Sequence, residues 1–189
     1  MTELELVTSI AMGLALAATC GLRAFLPLLT VSALSFSGFL ELSDQYSWLG
    51  QLPALIVLSC AAVFEWLGDK VPIVDHALDV IALIVKPISA TLAAASVMTD
   101  LDPLLATVVG LIAGGSLAGG IHFLKAKLRA LSTAVSGTLA NPFLSFAEDI
   151  VALVGALLSV LAPLITVFLV VTALIWAGRR LRRRLKISD

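Results

Sequence analysis

The feature that most constrains this chain is a succession of apolar segments, at about 5–22, 24–40, 52–67, 77–98, 104–124, 128–147 and 148–178. Backbone placed in hydrocarbon can hydrogen-bond only to itself, so such segments must form structures that satisfy their own N–H and C=O groups. Helices of about 20 apolar residues do this across a bilayer core of about 30 Å. The surrounding composition leaves little room for a water-soluble alternative. Only 13% of residues are charged and the mean hydropathy is +1.08, against about 25% charged in an ordinary soluble domain. The expected fold is all-α: a polytopic helical membrane bundle with about five to seven embedded segments.

Segments 5–22, 104–124 and 148–178 read as simple spans, and the others are short or interrupted. Segment 24–40 opens at Arg23 and Pro27 and ends in SFSGF. Segment 77–98 carries Lys86-Pro87 at its middle, which predicts a kink or break, because proline removes a helix hydrogen bond. Interrupted apolar segments point to re-entrant or broken helices lining a site. GLIAGGSLAGG (110–120) offers small faces for close helix approach, and a homo-oligomer packed on such faces is expected. ELSDQYSWLGQL (41–52) and TDLDP (99–103) read as interfacial connections, with Asp100 and Asp102 in solvent.

The net charge of −1 conceals an asymmetry. Six of the twelve basic residues, Arg179, Arg180, Arg182, Arg183, Arg184 and Lys186, fall in the last eleven positions. The excess of Arg and Lys on cytoplasmic segments places this end in the cytoplasm, with Trp176 as an interfacial anchor. Residues 1–178 therefore read as a single membrane domain and 179–189 as a basic cytoplasmic tail. The tail is a topology determinant, with membrane lipids and not nucleic acid as its partner. The protein is placed in the cell membrane, the bacterial inner membrane, as a multi-pass protein. The acidic start MTELEL lacks a basic n-region and reads as a retained first helix. Cys20 and Cys60 lie in apolar segments without metal-ligand spacing, and read as buried thiols. No cofactor is expected, and whether a metal binds stays open.

Against this background EWLGDKVPIVDHALD (65–79) stands out, with Glu65, Asp69, Lys70, Asp75, His76 and Asp79 in fifteen residues. At about 100° per residue, Asp75, Asp79 and Lys86 share one helix face, with His76 one step away. Glu65 and Asp69, four apart, share another. In HFLKAKLRALSTAVSG (122–137), His122, Lys125, Arg129, Ser132, Thr133 and Ser136 form one basic and hydroxyl-bearing edge, with Lys127 pointing away. In NPFLSFAED (141–149), Asn141, Ser145, Glu148 and Asp149 form a third stripe. Charge in a membrane domain is expensive and faces a bundle interior or a water-filled cavity. The three stripes therefore read as one centre, joined by Arg23 from the first break.

The same residues carry a likeness. GLRAFLPLL (21–29), EWLGDKVPIVDHALD (65–79), KPISA (86–90) and HFLKAKLRALSTAVSGTLANPFLSFAED (122–149) resemble the bacterial domain-of-unknown-function family 4126, over nearly the whole chain. The resemblance implies a polytopic membrane protein and supplies no substrate, cofactor or catalytic residue.

Three function classes fit the stripes. The first is a transporter or channel for a small ion or charged solute, with the acidic groups binding cations or relaying protons and the basic groups holding anions. The second is an intramembrane enzyme or carrier acting on a lipid phosphate headgroup, with Lys125, Arg129 and the serines binding phosphate and His76 or His122 as base or nucleophile. The third is an assembly or scaffold protein whose ion pairs specify packing. The first is favoured by the broken segments, and no residue is assigned a catalytic role.

Overall fold

A computed structural model describes residues 2–69, 72–136 and 141–185, the side chains of 72–77, 79, 131, 132, 134–136, 141, 142 and 180–185 excepted. Eight α-helices follow in chain order: α1 (Glu3–Cys20), α2 (Phe25–Phe36), α3 (Leu52–Gly68), α4 (Pro72–Val97), α5 (Pro103–Val109), α6 (Gly115–Ser136), α7 (Asn141–Leu161) and α8 (Pro163–Leu185). A 3-10 turn, Asp44–Gly50, precedes α3, and a π-helical turn, Gly110–Gly114, joins α5 to α6. No strand occurs among the described residues.

Local chemistry sets several helix starts. Thr2 and Glu5 form a capping box: the Thr2 hydroxyl accepts from Glu5 N–H, and Glu5 Oε2 accepts from Thr2 N–H at 2.8 Å. Asp102 caps α5 by accepting from the N–H groups of Leu104 and Leu105, so it has a structural task beyond solvation. Prolines sit in the first turns of α3, α5 and α8, where a missing N–H costs nothing.

Small residues decide the core. Leu16, Ala17 and Cys20 of α1 are buried in one cluster with Ala90, Ala93, Ala94 and Ala95 of α4. At Gly13 an added Cβ would lie 2.8 Å from the Ala94 carbonyl oxygen, so the two backbones approach closely only because that position is glycine. The outward faces are apolar: Val63, Phe64, Ile165, Phe168 and Trp176 are all exposed. Four helical stretches are long and apolar enough to cross a membrane, namely Glu3–Cys20, Val80–Val97, Pro103–Ala130 and Phe143–Leu161. A fifth is available if the 3-10 turn and α3, bent by 65°, act as one broken span.

Five expectations are corrected. Cys20 is a buried thiol as expected, but Cys60, on α3, is exposed. Residues 128–147 and 148–178 are not segments: a continuous helical run from Pro103 to Ser136 absorbs the first part, and Pro163 divides the second between α7 and α8. Helix α4 runs through Pro87 without a break, and the Thr91 hydroxyl donates to the Pro87 carbonyl one turn on. The 41–52 connection is folded into the core, not merely interfacial. Tyr46 and Leu49 are buried, the Ser32 hydroxyl donates to the Leu49 carbonyl at 2.6 Å, and the Tyr46 hydroxyl meets that of Thr107 at 2.9 Å. Finally, the glycines of 110–120 are partly spent inside the subunit, Gly110 against the Thr91 carbonyl and Gly114 against Ala17.

The helices sort the polar residues between two ends. Leu4, Glu5, Leu40, Glu41, Val97 and Asp100 line one hollow at the first end, and Ser43 N–H bonds the Ser96 carbonyl there at 2.9 Å. Helix α1 descends from this end and α2 climbs back toward it. At about 1.5 Å per residue, the 12 residues of α2 cover about 18 Å, short of a full crossing. The turn between them, at 21–24, lies within the bundle.

A buried charge network at the helix break

The candidate site is built where α1 stops. Its turn presents backbone groups of opposite polarity side by side: the Leu22 carbonyl ending α1, and the N–H groups of Ala24 and Phe25 starting α2. Helix ends leave such groups unpaired and partially charged. Each set is met here by side chains of the matching sign. Lys86 Nζ donates to the Leu22 carbonyl at 3.2 Å and Lys125 Nζ at 3.4 Å. Glu65 Oε1 accepts from Ala24 N–H at 2.8 Å, and its Oε2 from Phe25 N–H at 3.1 Å. Ala24 cannot cap α2 itself, so α3 supplies the cap.

Between these contacts the Arg23 guanidinium is almost wholly buried. Its Nη1 lies 2.5 Å from Asp69 Oδ2 and its Nη2 2.6 Å from Asp149 Oδ1. Nη2 also donates to the Ser145 hydroxyl at 3.0 Å, and that hydroxyl donates to Asp69 Oδ2 at 3.4 Å. Asp69, the residue closing α3, is a hub: Lys125 Nζ stands 3.8 Å and Arg129 Nη2 3.7 Å from the same oxygen. Glu148 Oε2 faces the same two cations at 3.0 and 3.8 Å. Lys125 and Arg129 are four apart on α6, and Ser145, Glu148 and Asp149 fall within one turn of α7. Helical periodicity therefore brings each set to one face.

Lys86 also approaches His122 Nδ1 at 3.0 Å. An ammonium has no acceptor, so Nδ1 is the accepting nitrogen of that contact. The described charges balance, with Arg23, Lys86, Lys125 and Arg129 set against Glu65, Asp69, Glu148 and Asp149. Charges of both signs thus share one interior without a large net charge in a medium that tolerates none well.

The structure brings together ten of the residues singled out in the sequence: Arg23, Glu65, Asp69, Lys86, His122, Lys125, Arg129, Ser145, Glu148 and Asp149. The side chains of Asp75, His76, Asp79, Ser132, Ser136 and Asn141 lie outside the described residues. Lys127 is exposed, with its Nζ 4.6 Å from the Phe123 ring. The stripes do not announce the backbone groups of Leu22, Ala24 and Phe25. The signal that could have found them is GLRAFLP itself, in which Gly21 ends one helix and Pro27 falls in the first turn of the next. Among the described residues no group of three or more His, Cys, Asp or Glu side chains could hold a metal ion.

Two cavities flank α3 and meet the network from opposite sides. One, of about 420 Å³, lies between α2, α3 and α7, with Arg23, Glu65 and Asp149 at its polar end and Trp66, Phe146 and Leu153 among its walls. The other, of about 510 Å³, reaches Glu65, Asp69, Lys86 and Lys125 past Phe64 and Ile81. Glu65 borders both.

A bundle with apolar outward faces, membrane-length helices and its charges gathered inside defines an integral helical membrane protein. Residues 10–183, most of the chain, match the family described as Domain of unknown function (DUF4126), and the chain belongs to that family. No curated protein and no solved structure matches it.

Proposed function

We propose that this protein carries a small ion or charged solute across the membrane, with the buried network as the closed centre of its pathway. The observation that carries the reading is the helix break at 21–24, whose exposed carbonyl and N–H groups are held by Lys86, Lys125 and Glu65. Discontinuous helices in transporters offer such backbone ends to their substrates. Here side chains of both signs occupy those ends, and a solute of either sign gains entry by displacing one of them. The runner-up, chemistry on a lipid phosphate, is less supported, because His122 Nδ1 faces an amine and the cations already hold carboxylates.

The orientation follows from charge. Glu3, Glu5, Glu41, Asp44, Asp100 and Asp102 belong to the first end, and residues 1–22, 24–69 and 87–124 contain no Lys or Arg. No described Lys or Arg therefore belongs to the first end, which by the positive-inside tendency supports a cytoplasmic far end and C-terminal tail. The test is flux through purified protein in liposomes, screened with cations, anions and small zwitterions. Flux that Arg23→Gln or Asp69→Asn abolishes in an inserted, folded protein supports the reading. A folded protein without flux for any of them overturns it in favour of a scaffold.

A further inference from the structure

The cavity between α2, α3 and α7 carries an inference independent of transport. Arg23 and Asp149 both line it, and each retains one buried polar atom without a hydrogen-bond partner, Arg23 Nε and Asp149 Oδ2. Arg23 is 2% exposed. Unpaired polar atoms at such depth are rare and costly, and these two are opposite in kind: one is an N–H donor, the other a carboxylate acceptor. Their residues are already joined through Nη2 and Oδ1 at 2.6 Å.

A group that accepts one hydrogen bond and donates one satisfies both atoms at once, and a hydroxyl is the simplest such group. It is uncharged, because the four cations and four carboxylates of the described network already balance. The rest of the cavity says what the hydroxyl is attached to. Its walls are Leu26, Leu29, Val63, Trp66, Phe146 and Leu153, and the last four of these are exposed on the lipid-facing surface. A volume of about 420 Å³ falls within the range of ligand pockets.

We propose that this cavity binds a hydroxyl-headed amphiphile that enters sideways from the bilayer, with its hydroxyl between Arg23 and Asp149 and its chain along α3. Trp66 provides the readout. In a Trp48→Phe, Trp176→Phe protein held in nanodiscs, Trp66 fluorescence is titrated with a chain-brominated monoacylglycerol. The matching brominated methyl ester, which accepts but cannot donate, is the control. The expected result is saturable quenching by the monoacylglycerol at a concentration about tenfold lower than for the ester, the worth of one buried hydrogen bond to a charged group.

Arg23→Lys keeps the charge and lacks Nε, and it should erase the difference. Should that variant fail to fold, Ala62→Phe fills part of the cavity without touching the network or adding a tryptophan, and should abolish saturable quenching at unchanged thermal stability. Equal quenching by alcohol and ester overturns the proposal and assigns the two polar atoms to water. So does saturable quenching that survives Ala62→Phe.

Discussion

Glu65→Ala isolates the most unusual contact of the site. The carboxylate caps α2 from another helix, accepting two backbone N–H groups at 2.8 and 3.1 Å. Removing it leaves both donors unpaired, at about 1–3 kcal/mol each for buried groups, and deletes a negative charge from a helix N-terminus, worth up to about 2 kcal/mol. Cavities on both sides of Glu65 let water approach, so the lower part of the range applies, about 3 kcal/mol. For a chain of this size that corresponds to a fall in melting temperature of about 6–12 °C in thermal unfolding of the detergent-solubilised protein. The space left by the side chain suits a small carboxylate. Formate should therefore restore much of the loss in Glu65→Ala, saturably, and chloride at equal ionic strength should not. Glu65→Gln keeps one acceptor and should fall between. A melting temperature within about 2 °C of the unaltered protein, or equal effects of formate and chloride, refutes the capping argument.

Three further outcomes follow from the same geometry. Asp69→Asn leaves Arg23, Lys125 and Arg129 facing one fewer charge and should cost about 3–5 kcal/mol by the same unfolding measurement, more than Asp149→Asn, whose carboxylate meets one cation, Arg23, among the described residues. Gly13→Val should prevent stable folding, since even a Cβ meets the Ala94 backbone at 2.8 Å, whereas Gly119→Ala, with nothing within 4 Å, should be silent in size-exclusion and thermal assays. In a Cys20→Ala, Cys60→Ala background, Glu41→Cys should react with a membrane-impermeant maleimide on intact cells and Gly178→Cys only after lysis; the reverse pattern would invert the proposed orientation.

Much of the site was legible because helical periodicity is legible. Lys125 with Arg129, and Ser145 with Glu148 and Asp149, share faces by arithmetic alone, and the cost of charge in hydrocarbon directs those faces inward. Pairing across helices was not legible. Nothing in EWLGD distinguishes Glu65, which caps a helix start, from Asp69, which holds three cations. That division depends on where α2 begins in space. Helix boundaries failed at two prolines: Pro87, expected to kink or break its helix, lies inside an unbroken α4, while Pro163, inside an apolar run, starts a new helix. The core role of 41–52 escaped because Tyr46 and Leu49 are buried by partners some 60 residues away or by α2, contacts that no local pattern encodes.

The cap that α3 provides for α2 also orders events during synthesis. Phe25 leaves the ribosome 40 residues before Glu65, and until then the start of α2 has two N–H groups facing the membrane interior with no side chain of its own to satisfy them. A 12-residue helix in that condition is too short to stay inserted unaided. The α1–α2 hairpin therefore matures only once the third helix enters beside it, and a chain truncated before Glu65 should be held by the insertion machinery or degraded, however apolar its first forty residues are.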